Sequence, residues 1–252
     1  MVTLEELKAK LDTFSAAKIE FVAQVVDSLA SSPDADIRSP GTWLTASGDW
    51  IEYFGLALSV HHAATTVPLG LGSFEAAFRN ACEHVRWPVE VSESATQRFL
   101  DIVVHPAGQP TRRLSLKSTA ARRLSRSTIH ISKLTEAAWI QDARTARDRR
   151  QRTLDLFKDY QTQVSHIIML RAFRDGVDVV PSLYQLVEIP TSIFDSIQEA
   201  SVSDFSSDAP AVTCRLGGRE VAVVALDRSD AKITVRRIQM SACTVHAEWR
   251  QE

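Results

Sequence analysis

Cysteine is scarce: three residues in 252, Cys82, Cys214 and Cys243, no two at CxxC spacing. That excludes a disulfide framework and a zinc knuckle, and leaves three reduced, structural thiols as the expectation. Long apolar runs are missing as well, with no stretch of about 18 residues able to cross a membrane as a helix. The opening Met-Val-Thr-Leu-Glu-Glu lacks the basic-then-apolar order of a signal peptide, so a soluble, cytoplasmic chain with no membrane partner is expected. There is no internal repeat, low-complexity tract or glycine-rich phosphate loop. What the chain does have is 44% hydrophobic and 24% charged residues, the mix of an ordinary globular protein. At this size it can bury one sizeable core or two small ones.

The formal net charge of −2 conceals a strong polarity. Between Arg112 and Arg152 twelve basic residues face three acidic ones, an excess of +9 in 41 residues, which leaves −11 for the rest of the chain. Such an asymmetry points to one surface that meets a polyanion. The alternative is a solvated arginine-rich helix laced by i,i+4 pairs, for which few carboxylates are at hand locally.

Helical spacing of Leu4, Leu7, Leu11 and Phe14, then of Ile19, Val22, Val26 and Leu29, predicts a helix over residues 3–31. A second helix is expected to start after Ser47-Gly48-Asp49 and to break at Pro68, and Ser73 to cap a short one ending at Val85. Phe99–His105 and Thr111–Ser118, joined by Pro106-Ala-Gly-Gln-Pro110, read as a β-hairpin. A polar link and a long helix from about Ser132 to Gln161 follow, then strands at Val164–Arg171 and Leu183–Ile189 and a short helix at Ile193–Ala200. Beyond a polar link at 201–210, Val212–Leu216, Glu220–Leu226, Lys232–Met240 and Cys243–Trp249 are candidate strands. The expected organisation is a helical segment over 1–45, an α/β core over 46–200 and a β-rich extension or subdomain over 201–252.

The hairpin carries the chemistry. Asp101 lies at the start of its first strand and Lys117 near the end of its second, and antiparallel pairing brings these ends together. A carboxylate can hold Mg²⁺ through oxygen while a nearby ammonium orients water and offsets charge on a phosphorane-like transition state. Phosphodiester hydrolysis needs these components. One carboxylate seldom suffices, so a second is expected close by. Arg122, Arg123 and Arg126, which follow the second strand, and Lys133 beyond them are the expected contacts to phosphate or to guanine edges.

Asp101, fifteen intervening residues and Ser115-Leu116-Lys117 resemble the signature of the PD-(D/E)XK nuclease superfamily. Its core is a helix, a hairpin bearing Asp and then (Asp/Glu)-X-Lys, a helix and another strand. The resemblance covers about residues 45–190 and implies a restriction-endonuclease-like core, a mixed central sheet flanked by helices. Here Ser115 stands in the slot of the second acid. One branch of type II restriction endonucleases, including those that cut CCGG-containing sites, is similar in this respect, with Ser-X-Lys on the strand and a compensating glutamate on the following helix. Glu136, near the start of the predicted helix, matches that glutamate. Several endonucleases of the superfamily add a glutamate from the helix before the hairpin, a place Glu52 would take, with Glu20 a weaker version of the same idea. The resemblance therefore implies a type II restriction endonuclease that cuts duplex DNA at a specific sequence, with Mg²⁺ on Asp101 and Glu136. It also implies a homodimer and a DNA methyltransferase as functional counterpart. A repair or junction-resolving nuclease and a DNA-binding module without activity are the rival readings. His61-His62, His105 and His166 are expected to be ordinary helix-end, core or surface histidines, and Trp139 and Phe157 core anchors.

Overall fold

A computed structural model describes residues 2–91, 99–176 and 179–251. The predicted first helix is two: α1 (Leu4–Leu11), opened by a Thr3–Glu6 capping box, and α2 (Ala16–Ala30). They part at Asp12–Ser15, where the Thr13 hydroxyl donates to the Lys10 carbonyl at 2.7 Å and competes with helix propagation. Then come β1 (Ala35–Ile37), α3 (Gly48–Ala64) capped by Ser47, and α4 (Leu71–His84). The last of these has Gly70, not Ser73, at its N-cap, and Ser73 sits inside its first turn.

An antiparallel meander of β2 (Val89–Val91), β3 (Ile102–Val104) and β4 (Arg112–Thr119) follows. The predicted helix at 132–161 is corrected in its first part. Residues Thr128–Glu136 form β5, and helix resumes as α5 (Trp139–Asp142) and α6 (Ala146–Gln163). The reason is visible in Thr128-Ile-His-Ile-Ser, where β-branched residues at 129 and 131 are buried and His130 and Ser132 face out, a period of two. β6 (His166–Phe173) and β7 (Leu183–Pro190) follow, then 3₁₀ turns over Thr191–Glu199 and Val202–Phe205. The chain ends with β8 (Ala211–Leu216), β9 (Arg219–Asp227), β10 (Lys232–Gln239) and β11 (Thr244–Arg250).

The molecule is mixed α/β. Seven strands form one sheet in the order β1-β11-β7-β6-β4-β3-β2, antiparallel throughout except where β4 runs parallel to β6. A parallel neighbour demands a crossover, and β5, α5 and α6 supply it. The second sheet has the order β5-β10-β9-β8 and is antiparallel. The β-rich stretch 201–252 thus serves both sheets, β11 the first and β8 to β10 the second.

One face of the large sheet is covered by α3 and α4 through Trp50, Phe54, Phe74 and Phe78. The other carries α6 and the inner face of the second sheet, with Phe157, Tyr160, Ile131 and Val235 in one continuous core. Gly55 sets how near α3 can come, since a Cβ there would lie 2.7 Å from Trp249 Nε1. All three cysteines are free, and burial pushes each thiol up to about 12, so they stay protonated and inert. Among the described residues no helix is long and apolar enough to cross a membrane.

Candidate active site

Asp101 sits one residue ahead of β3, its amide donating to the Leu114 carbonyl at 3.0 Å. That bond turns its carboxylate across β4. Oδ2 accepts from the Leu116 amide at 2.6 Å and from the Ser115 hydroxyl at 3.1 Å, and Lys117 Nζ stands 3.8 Å away. The expected convergence of Asp101 and Lys117 is therefore present. Alternation along β4 puts Ser115 and Lys117 on the same face, that of α6, where Ser115 is 1% exposed beside the Tyr160 phenol. Burial, aided by the charge of Asp101, holds that phenol protonated.

Two cavities meet at Asp101. The smaller, of about 140 Å³, lies toward α4 and is lined by Gly72, Glu75, Ala76 and Arg79 together with Asp101. Glu75 is half-buried there, and its carboxyl is raised above the ordinary range, first by burial and then by the charge of Asp101, with Lys117 acting the other way. Residue-by-residue reading missed Glu75. The signal that could have found it is helical spacing on the helix next before the hairpin: Phe74, Ala77, Phe78 and Ala81 face the core and place position 75 at the margin of that face. The larger cleft, about 450 Å³, lies toward the second sheet. Asp101, Lys117 and Ser118 form one wall and Ser132–Glu136 of β5 the other.

The other expected site residues are spread differently. Glu136 reaches the cleft from the end of β5, not from a helix, and accepts from Lys133 Nζ at 2.6 Å. Glu52 is exposed on α3 and lines neither cavity that contains Asp101. Arg122, Arg123 and Arg126 occupy the loop between β4 and β5, all exposed, with Arg123 at φ 59°. Arg126 lies over the Phe173 ring, 4.0 Å from its centroid. The loop is tied down by Arg171, which is buried and donates to the Ser125 carbonyl and to Gln185 Oε1, and by Arg174, which donates to the Ala120 carbonyl at 2.7 Å.

The basic excess read from the sequence is not all surface. Arg149 of α6 is 3% exposed and donates to the carbonyls of Ala143, Phe205 and Ser206. Arg150 donates to the Ala200 carbonyl at 2.6 Å, and Arg152 pairs with Asp148 one turn away. Arg149 and Arg150 thus fasten the 3₁₀ turns to α6, and Arg149 is buried away from any polyanion, whereas Arg152 stays exposed.

The histidine pair is structural as expected, His61 bonded to the Val67 carbonyl and His62 to the Thr65 carbonyl and the Tyr184 hydroxyl. His166 belongs to a buried group, with Nε2 3.3 Å from Glu188, which also accepts from Trp43 Nε1 at 2.6 Å and contacts His246 at 3.0 Å. Burial pushes the Glu188 carboxyl up, but the two imidazoles and the indole together hold it below its ordinary value. Among the described residues no cluster of three or more His, Cys, Asp or Glu side chains is arranged to hold a metal ion.

A family model described as SmaI, type II site-specific deoxyribonuclease, matches residues 7–251. The chain is similar to the type II restriction enzyme SmaI of Serratia marcescens, 26% identical over 208 residues that cover 79% of this chain and 78% of the relative. No solved structure matches.

Proposed function

Because the chain belongs to the SmaI family of type II site-specific deoxyribonucleases and is a restriction endonuclease, we propose that Asp101, Lys117 and Glu75 are its hydrolytic centre. The observation that carries this reading is the hold on Asp101: one oxygen fixed by the Leu116 amide and the Ser115 hydroxyl, with the Lys117 ammonium at 3.8 Å and Glu75 under its field. The sequence of elements supports a PD-(D/E)XK core. α4, the meander β2–β3–β4, α6 and the parallel β6 reproduce helix, hairpin, helix and strand in order.

The donor set suits Mg²⁺. Two carboxylates share the site, and the charge of Asp101 adds to burial in raising the Glu75 carboxyl, a repulsion that a divalent cation relieves. Mg²⁺ is commonly held by one or two carboxylates, the rest of its shell being water and substrate phosphate. Asp101 and Glu75 would hold it from the smaller cavity, and Glu136 lines the larger cleft that Asp101 also borders. When bound, the ion supplies Lewis-acid stabilisation of phosphoryl charge and acidifies water. The protein's own part is positional. Ser115 and Leu116 fix the carboxylate before substrate arrives, and the Lys117 ammonium orients the attacking water and offsets charge on the pentavalent transition state.

Cutting both strands of a symmetric site with one centre per chain calls for a two-fold homodimer. The helical pair at the N-terminus supports one. Leu4, Leu7, Phe14, Ile19, Val26 and Leu29, spaced as a core-facing stripe would be, are 36–65% exposed. The enzyme acts in the cytoplasm, beside a methyltransferase that protects host copies of the recognition site. The test is cleavage of plasmid DNA with Mg²⁺: discrete bands from the wild type and none from Lys117→Ala, with duplex binding kept by both. Cutting only of branched substrates would turn the reading toward repair.

A further inference from the structure

The ladder between β5 and β10 breaks register twice, once in each strand. Between the pairs Ile233–Thr135 and Val235–Ile131, β5 carries Ser132, Lys133 and Leu134 against Thr234 alone. Between Val235–Ile131 and Ile238–Ile129, β10 carries Arg236 and Arg237 against His130 alone. Bulges bend a strand and re-aim its side chains, and they gather beside active sites. The first bulge faces the catalytic cleft, which Ser132, Lys133 and Leu134 line together with Asp101 and Lys117.

The second bulge sends two successive guanidinium groups to the surface where a regular strand would turn one inward. Arg236 and Arg237 are both exposed, while Val235 and Ile238 on either side are buried. Arg237 holds φ 51°, a left-handed backbone that a side-chain-bearing residue adopts only under constraint. Among the described residues neither guanidinium has a carboxylate partner. His130 is exposed opposite them, and its imidazole is pushed toward the neutral form by partial burial and then by Arg236 and Lys232. His130 and Ser132, two residues apart, share the outward face of β5.

We infer that the β5–β10 ribbon is the sequence-reading element, entering the major groove so that Arg236 and Arg237 contact guanine edges. This rests on the cleavage site proposed above. The major groove admits a two-stranded ribbon, and the arginine fork meets guanine O6 and N7 in a bidentate pair. Reach fixes which bases are read. Lys133 at the cleft lies three residue steps beyond His130, about 10 Å at roughly 3.3 Å per residue. At about 3.4 Å per base pair this places the read bases within about three steps of the cut bond. The loop with Arg122 and Arg123, immediately ahead of β5, flanks the ribbon and suits phosphate.

The experiment is digestion of a plasmid library carrying a randomised duplex window, with the cut ends sequenced, for wild type, Arg236→Lys, Arg237→Lys and Arg236→Ala. Lysine keeps the charge and loses the fork. Each lysine variant should keep the wild-type salt dependence on non-specific duplex and lose about 10- to 100-fold discrimination at one G·C pair near the cut, other positions unchanged. Unaltered discrimination in both lysine variants overturns the inference. So does a uniform loss in Arg236→Ala at all sequences with a shallower salt slope, the mark of a phosphate contact. A wild-type protein that cuts no duplex overturns the cleavage reading and the ribbon with it, whereas cutting with unaltered variants removes the ribbon alone.

Discussion

Replacing Asp101 by Asn separates the fold from the chemistry. The carboxamide oxygen can occupy the place of Oδ2 and keep accepting from the Leu116 amide and the Ser115 hydroxyl, so both short bonds survive. What is lost is the charge facing Lys117. At 3.8 Å the gross attraction is about 4 kcal/mol with an effective dielectric constant of about 20. The Asp101 side chain is 34% exposed, and water screening reduces the net worth to about 1 kcal/mol. The expected fall in Tm is therefore about 2–4 °C. Cleavage loses far more. Transition-state stabilisation of several kcal/mol depends on a charged ligand here, and each ~1.4 kcal/mol is tenfold, so the rate should drop by about 10³ or more. Duplex binding should hold. A further readout lies on α4: with the neighbouring charge gone, the Glu75 carboxyl should titrate closer to its ordinary value, which carboxyl-carbon NMR can follow. Asp101→Asn cutting within about tenfold of wild type would refute the site. A loss of Tm beyond about 10 °C, or an unmoved Glu75, would refute the account of what Asp101 holds.

Glu75→Gln tests the second carboxylate through opposite effects on stability and activity. The folded-state value of Glu75 lies above its unfolded one, so its contribution is favourable below the ordinary carboxylate range and lost as pH rises through the folded value. At pH 7 without metal Glu75→Gln should raise Tm and abolish cleavage, while Glu136→Gln and Glu52→Gln stay within about tenfold of wild type; an active Glu75→Gln passes the role to Glu136. Arg122→Ala or Arg123→Ala should flatten the salt dependence of binding by about one unit of slope per phosphate contact, measured by titration between 50 and 200 mM salt as rough limits; unchanged slopes in both exclude the loop. Arg149→Met should cost about 3–5 kcal/mol in denaturant unfolding, because three carbonyls lose their donor, and leave that slope alone. Leu7→Glu with Val26→Glu should convert a dimer to monomer by light scattering without lowering Tm, since neither residue is buried in the single chain; a dimer that persists puts the interface elsewhere.

Much of this was legible in the residues, and what was not had a local cause. The hairpin was readable because Phe99–His105 and Thr111–Ser118 are bounded by Pro106 and Pro110, so register and the meeting of Asp101 with Lys117 followed from strand geometry. The segment 128–136 was misread because its start, Thr128-Ile-His-Ile-Ser, lies in a polar stretch, and the bulge at Ser132–Leu134 interrupts the alternation that would have marked a strand. Glu75 was passed over because its environment is made by other elements: nothing in Ser73-Phe-Glu-Ala says that Asp101 lies beside it. The arginine excess misled in part for the same reason. Charge counts do not tell a solvated guanidinium from Arg149, which burial and three carbonyls bind into the frame.

The serine at 115 also acquires a physical reason. On the face it shares with Lys117, β4 is roofed by α6, and position 115 is almost wholly buried beside Tyr160, whose phenol is itself kept neutral. A glutamate there would bring a second charge into that roofed space, next to Asp101 and far from water, at a cost that burial of an unpaired carboxylate always carries. Serine instead donates to Asp101 and stiffens it. In the proposed site the second carboxylate comes instead from the opposite face, where α4 carries Glu75 into the small cavity at the strand's edge and water can still reach it. On that proposal two acids and one lysine surround the same point, with one acid on a helix where the resembled pattern has it on the strand. It also predicts an asymmetry: Ser115→Ala, which keeps the packing and removes one hydrogen bond to a charged group, should slow cleavage by about 10- to 100-fold, the worth of roughly 1.5–3 kcal/mol. Ser115→Glu should be worse than alanine in both rate and Tm, because the roof of α6 leaves the added charge unpaired; a glutamate variant as active as wild type would show that the strand slot was open after all.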